Sequence, residues 1–285
     1  MSREARSAVR RATAVLAEAG VPSPDFDAAE LLAHVLGTTR SKVLLAEGIS
    51  TEQQRSYDGL VARRAAREPL QHLTGTAAFR YVDLAVGPGV FVPRPETELL
   101  AGWGVEQAES VVAAGRRPVV VDLCTGSGAV ALSVATEVPQ AEVHAVELGE
   151  QAVEWAARNL AGSDVDLRHG DMAGAFPDLD GTVDVVLCNP PYIPLAAYES
   201  VAPEARDHDP PLALFSGEDG LEALRVVEQV AARLLRHGGV LGAEHADVQG
   251  SSAPDVLVSA GRWSDVRDHP DLAGRPRFVT ARLAR

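Results

Sequence analysis

Val119-Val120-Val121-Asp122-Leu123 runs straight into Cys124-Thr125-Gly126-Ser127-Gly128, a β-branched stretch that breaks into a glycine-bearing turn. β-Branched residues suit a buried, pleated strand, and glycine permits the sharp turn that a helix start at Ala129 requires. The alternation continues downstream. Strands are predicted at Glu142–Glu147, Val165–His169, Asp184–Cys188 and Gly239–Glu244, with helices from Ala129, near Gln151–Leu160 and over Gly220–Arg236. Strands that alternate with helices imply right-handed crossovers and a doubly wound parallel sheet. Two last strands, Trp263–Asp268 and Arg277–Arg282, are expected to form an antiparallel edge.

Upstream the period is helical. Val9, Ala12 and Leu16 precede Gly20, and Leu31, Leu32, Val35 and Leu36 follow Asp25 and Asp27 and stop at Gly37. A short helix is predicted from Ser41 to Glu47. A longer one opens at Ser50 with Gln53 three residues on, the spacing of a capping box, and carries Tyr57, Leu60, Val61 and Arg64. Residues 1–73 therefore read as a helical bundle. Over 74–95 the period falls to two: Phe79, Tyr81 and Asp83 alternate with Arg80, Val82 and Leu84, and Gly87-Pro88-Gly89 is read as the turn of a linking β-hairpin before Val90-Phe91-Val92. Residues 96–285 form the sheet domain, entered by a helix whose first turn holds Glu96 and Glu98, favourable for its dipole.

With 285 residues and 46% hydrophobic composition, the chain has ample material for a core. The segment Met1 to Arg11 has no apolar stretch of the secretory kind, and no apolar run approaches the roughly 18 residues that span a bilayer. Cys124 and Cys188 are the two cysteines. They offer neither a disulfide framework nor metal-ligand spacing, so a cytoplasmic protein without a metal is expected. The net charge of −14 works against a nucleic-acid partner. Arg63, Arg64 and Arg67 make a basic cluster that reads as a solvated helix face.

The strand Asp184–Cys188 ends on Asn189-Pro190-Pro191-Tyr192. Neither proline can donate to a sheet ladder, so the strand stops and delivers an amide, free backbone carbonyls and an aromatic face to one point. These groups suit a planar NH2 nucleophile: the Asn189 carbonyl and the Pro190 backbone carbonyl each accept one N–H, and Tyr192 stacks on the group. The glycine loop suits an adenosine cofactor, because Gly126 and Gly128 admit a ligand and Glu147 closes the next strand about 20 residues after Gly126, placed for ribose hydroxyls. The loop lacks the GxGxxG pattern, and no arginine is set to hold a pyrophosphate. S-adenosylmethionine has no phosphate to hold. Asp122 is placed either for its amino-acid ammonium or for the loop backbone; Asp171 either for its adenine or as a helix N-cap, with Met172 beside the ring or in the core.

With these motifs in one order, the sequence resembles the seven-stranded S-adenosylmethionine-dependent methyltransferases that act on planar nitrogens. It is most similar to the bacterial release factor glutamine methyltransferases. Pro69-Leu70-Gln71-His72, Phe91-Val92-Pro93-Arg94-Pro95-Glu96-Thr97-Glu98, the glycine loop, Asn189-Pro190-Pro191-Tyr192-Ile193 and Gly238-Gly239 through Glu244 to Gln249-Gly250 carry the resemblance. It implies an α/β fold with a seven-stranded Rossmann-like domain, mostly parallel with an antiparallel edge, behind a small helical bundle that docks substrate. It implies transfer of a methyl group from S-adenosylmethionine to the side-chain amide N5 of the glutamine in the Gly-Gly-Gln tip of class 1 peptide chain release factors. Asn189, Pro190 and Tyr192 are the expected catalytic groups, and Pro191 and Phe91 add substrate walls. Asp122, Cys124, Thr125, Gly126, Ser127, Gly128, Glu147, Asp171, Met172 and Asn189 are the expected cofactor-binding residues. A monomer that meets neither membrane nor nucleic acid is expected. Cys124 replaces the family's first loop glycine, so the backbone there has φ below zero or carries strain. Glu147 stands where aspartate is usual. A nucleic-acid amino-methyltransferase, which presents the same NH2 geometry, is the rival; a dinucleotide oxidoreductase leaves Asn189 to Tyr192 without a task.

Overall fold

The computed structural model describes residues 3–43, 45 and 47–284. These divide into two units, one made of residues 1–76 with 202–208, the other of 77–201 with 209–285.

The first unit holds α1 (Arg3–Glu18), α2 (Pro24–Val35), α3 (Arg40–Val43), α4 (Thr51–Ala65) and α5 (Leu70–Thr74). Leu16, Leu31, Leu32, Tyr57, Val61 and Leu73 close its core. The capping box is present: Gln53 N–H donates to Ser50 Oγ, and Ser50 N–H to Gln53 Oε1. The helix expected from Ser41 to Glu47 begins at Arg40 and is described only to Val43; residues 44 and 46 of that expectation lie outside the described residues.

Two expectations about this unit are corrected. Of the basic cluster only Arg63 lies on a solvated face. Arg64 is buried, and its guanidinium donates to Asp27 Oδ2 at 2.7 Å and to Glu204 Oε1 at 2.9 Å; Arg67 reaches Glu204 Oε2 at 2.7 Å. Glu204 lies on α9 (Pro203–His208), so the bundle includes a short segment from far along the chain that the boundary at residue 73 leaves out. Burial alone raises the Glu204 carboxyl, but the hydrogen bonds from Arg67 and Arg64 prevail and hold it at about 2.

The second unit carries a hairpin and a seven-stranded sheet. The hairpin strands are β1 (Thr76–Phe79) and β2 (Val82–Ala85). Its turn is at Arg80-Tyr81, with Arg80 at φ +48, and not at Gly87-Pro88-Gly89, which leads into an extended, unpaired segment with Val90 and Val92 buried. Arg80, in this turn, forms a bidentate pair with Glu137 and donates to the Glu98 carbonyl. Residues 77–95 thus belong with the sheet unit and are not a separate linker.

The sheet strands are β3 (Val119–Leu123), β4 (Glu142–Glu147), β5 (Asp166–His169), β6 (Val183–Cys188), β7 (Leu235–Glu244), β8 (Trp263–Pro270) and β9 (Pro276–Leu283), in the order β5-β4-β3-β6-β7-β9-β8. All neighbours are parallel up to β7, and β9 is antiparallel to β7 and β8. Side chains alternate between two cores: Val120, Val185 and Leu187 pack with α6 (Thr97–Ala113), α7 (Ala129–Glu137) and α8 (Glu150–Asn159). Val121, Leu123, Val186 and Leu241 face α11 (Glu222–Leu234) and α12 (Ser252–Ala260). α10 (Pro211–Leu214) is a single turn. α12 has no counterpart among the elements expected from the sequence; its Pro254 falls in the first turn, where a helix tolerates it.

Candidate active site

The chain order reverses between β3 and β6, and ligands in open α/β sheets bind at such a switch point, beyond the strand carboxyl ends. Leu123 pairs with Cys188, so the residues that follow each, the glycine loop and Asn189, leave the sheet side by side.

The loop is built by two carboxylates. Asp122, fully buried at the end of β3, accepts from Thr125 Oγ1 at 2.6 Å and from the Ala131 N–H at 3.1 Å. Of the two placements left open for it, the geometry is that of the loop: it ties the turn to the first turn of α7. Burial pushes its carboxyl up to about 7 against the pull of those two donors. Glu147 bridges two turns, accepting from Gly126 N–H and from Gly149 N–H, each at 2.8 Å. A carboxylate therefore already sits on the loop amide that a pyrophosphate would need, which argues against a dinucleotide. Asp171 caps the turn Met172–Gly174 by accepting from Ala173 N–H at 2.9 Å. Met172 packs with Cys124 at 3.5 Å between sulfurs. Ser127 is buried, and Gly128 opens α7 in a left-handed conformation at φ +85.

Cys124 takes φ +57, so of the two alternatives for this residue the strained one is realised. A left-handed conformation costs a non-glycine residue about 1–2 kcal/mol. Cys124→Gly and Cys124→Ala both delete the thiol and differ only in backbone freedom. The glycine variant is expected to be the more stable by about 1 kcal/mol in thermal or denaturant unfolding; equal stabilities would refute the strain. The other thiol, Cys188, is fully buried, and burial raises it well above its usual range, so it behaves as a small apolar group.

The second half of the site is a polar chain. Asn189 Nδ2 donates to Thr97 Oγ1 at 3.2 Å, Thr97 Oγ1 donates to Glu244 Oε2 at 2.7 Å, and the Tyr192 hydroxyl donates to Glu244 Oε1 at 3.1 Å. Glu244 is fully buried, and burial lifts its carboxyl to about 7, opposed by Thr97, Arg277 and Tyr192 and reinforced by Glu96. Burial and the neighbouring Glu244 also keep the Tyr192 phenol protonated. Gln249 Nε2 donates to the Tyr192 carbonyl at 3.1 Å, and Gly220 leaves room for it: a Cβ there would lie 2.3 Å from that carbonyl. Neither Asn189 Oδ1 nor the Pro190 carbonyl accepts a hydrogen bond from the described residues. Phe91 enters none of these bonds; its ring lies under the Arg94 guanidinium, which is paired with the buried Asp209 at 2.6 Å. Pro191, between Pro190 and Tyr192, is half-buried. Thr97, Glu244 and Gln249 lie in stretches that carry the resemblance, yet residue spacing assigned them no role. Their pairing is visible only once β6, β7 and α6 are assembled.

Comparison with known proteins identifies the family. Residues 7–75 match the model of the PrmC N-terminal domain and residues 108–202 that of the methyltransferase small domain. The release factor glutamine methyltransferase of Streptomyces coelicolor is 57% identical over 97% of both chains. A 4-amino-L-phenylalanine/4-methylamino-L-phenylalanine methyltransferase of Streptomyces pristinaespiralis is 46% identical over 74% of this chain and 72% of its own. Among solved structures, the hMettl16 catalytic domain bound to a MAT2A 3′UTR hairpin superposes with a TM-score of 0.53 at 12% identity, covering 70% of this chain and 75% of that one, a likeness of fold alone. At such identity over nearly its whole length, this chain is a member of the release factor glutamine methyltransferase family.

Proposed function

We infer that the protein transfers a methyl group from S-adenosylmethionine to the side-chain amide N5 of the glutamine in the Gly-Gly-Gln tip of class 1 release factors. One observation carries this reading: two adjacent acceptors, Asn189 Oδ1 and the Pro190 carbonyl, stand unpartnered among the described residues, at the end of a buried strand beside the glycine loop. Two acceptors match the two N–H bonds of one planar NH2 group.

The residues present fit the cofactor. Glu147 uses one lone pair on each oxygen for the loop amides, which leaves acceptor capacity for two ribose hydroxyls. A Cβ at Gly126 would meet open space. Asp171 and Met172 offer a carboxylate and an apolar side chain after β5. Bound there, S-adenosylmethionine supplies an electrophilic sulfonium methyl. Asn189 and Pro190 hold the amide N–H groups so that the nitrogen lone pair points away from them, and Tyr192, tethered through its hydroxyl, provides a flat wall. Transfer forms the N–C bond as the sulfur–methyl bond breaks and leaves its electron pair on sulfur; the nitrogen then releases its proton to water, so no side chain has to act as base. Enclosure and orientation provide the acceleration. The enzyme is read as a cytoplasmic monomer, with two free thiols suited to a reducing compartment.

Incubation with labelled S-adenosylmethionine and a class 1 release factor is expected to label the factor, and its tip Gln→Ala variant is expected to stay unlabelled. Equal labelling of both would refute the assignment. A second reading, methylation of a free aromatic amine, is favoured by the relative from Streptomyces pristinaespiralis. Label passing to 4-amino-phenylalanine and not to the release factor would decide for it.

A further inference from the structure

We propose that Thr97 and Glu244 act as a polarity relay that sets which face of the Asn189 amide meets the substrate. The inference deepens the reading above and rests on Asn189 holding the target NH2.

Hydrogen-bond bookkeeping carries it. A threonine hydroxyl has one proton to give. Thr97 gives it to Glu244 Oε2 at 2.7 Å, a charge-assisted bond to a carboxylate at the buried end of β7. Thr97 Oγ1 can then only accept, and the group it accepts from is Asn189 Nδ2 at 3.2 Å. With its NH2 turned toward Thr97, Asn189 has its carbonyl left for the substrate, the orientation that an incoming N–H needs. Reversing the donor at Glu244 reverses each link: Thr97 would donate to Asn189, and the amide would flip and present its own NH2 to the substrate NH2. The Tyr192 hydroxyl on the other carboxylate oxygen ties the aromatic wall to the same anchor. Thr97 and Glu244 are positioning residues, acting through Asn189 and Tyr192.

The groups facing Glu244 are Thr97 and Glu96 at the start of α6, Tyr192 after β6 and Arg277 on β9. With its carboxyl lifted to about 7, mainly by burial, Glu244 titrates near neutrality. Protonation supplies the wrong donor, so kcat is expected to fall as pH drops through about 7.

Three variants test this, with kcat, KM for the release factor and calorimetric S-adenosylmethionine binding measured on the full chain. Thr97→Val keeps the shape and loses the hydroxyl; kcat is expected to fall about 100-fold, with cofactor affinity unchanged. Thr97→Ser keeps the hydroxyl and is expected to restore kcat to within about threefold of the parent. Glu244→Gln, isosteric but able to donate, is expected to fall as far as Thr97→Val. The acid limb of the parent's kcat profile is expected to disappear in Thr97→Val. Full activity of Thr97→Val, failure of Thr97→Ser to restore kcat, or an acid limb intact in Thr97→Val would each overturn the relay. An active Asn189→Ala variant would overturn the site itself, so the two failures are separable.

Discussion

Asn189→Ala is expected to lower kcat by about 10³-fold while changing S-adenosylmethionine affinity by less than about threefold. The magnitude follows from what the amide does. On the function proposed above, deleting it removes one of the two acceptors that orient the nucleophile, and misplacing a reacting group or losing one preorganised hydrogen-bonding group typically costs about 10²–10³ in rate. It also frees Thr97 and leaves Pro190 as the sole acceptor, which a rotating NH2 group satisfies in many unproductive poses. The cofactor side is built separately, from Asp122 with Thr125 and Ala131 and from Glu147 with Gly126 and Gly149, and none of those bonds involves Asn189. Single-turnover kinetics with calorimetry separates the two effects. A loss of cofactor binding matching the loss of rate would mean that Asn189 belongs to the cofactor pocket.

In the helical unit, Arg64→Ala is expected to cost about 3–5 kcal/mol, because it leaves the buried Asp27 carboxylate without its partner and removes one of the three guanidinium bonds to Glu204. Arg64 and Asp27 have side chains only 6% and 8% exposed, and Glu204 is 14% exposed. Such a pair adds little net energy when intact, since its attraction offsets its desolvation, but removing one member leaves buried charge without compensation. Arg67→Ala is expected to cost much less, since Arg64 still binds Glu204. The cleanest readout is hydrogen exchange: amides of 203–208 are expected to lose protection in both Arg64→Ala and Arg67→Ala, since each variant removes bonds to Glu204. Acid has a defined direction here. Glu204 is depressed to about 2 in the folded protein, so its contribution is complete above its unfolded value of about 4.5 and is lost as pH falls toward 2. Unchanged exchange in Arg64→Ala would show that the cluster does not hold the segment.

Much of this protein was legible in one dimension because it depends on short range. The runs at 119–123, 142–147 and 183–188 are β-branched, the turns after them carry glycine or proline, and strand and helix periods alternate as a parallel sheet demands. Asn189-Pro190-Pro191-Tyr192 was legible as a strand end that leaves acceptors free because proline's missing N–H is a local property. Glycine and proline at 87–89 signal a turn, but the hairpin turns at 80–81, where Arg80 pairs with Glu137, a carboxylate 57 residues away that local sequence does not reveal. Arg64 was misread for the same reason, since helix position says nothing about a carboxylate 140 residues away.

By itself, then, the sequence determined the seven strands of the sheet, most of the helices, the glycine loop and the polar groups at the strand ends. The tertiary structure decided how those groups are aimed. Thr97 lies 92 residues from Asn189 and 147 from Glu244. Whether Thr97 donates or accepts depends on which partner holds its single proton. Hydrogen-bond polarity is a property of a closed network, and only the folded sheet, bringing the ends of β6 and β7 to the start of α6, closes it.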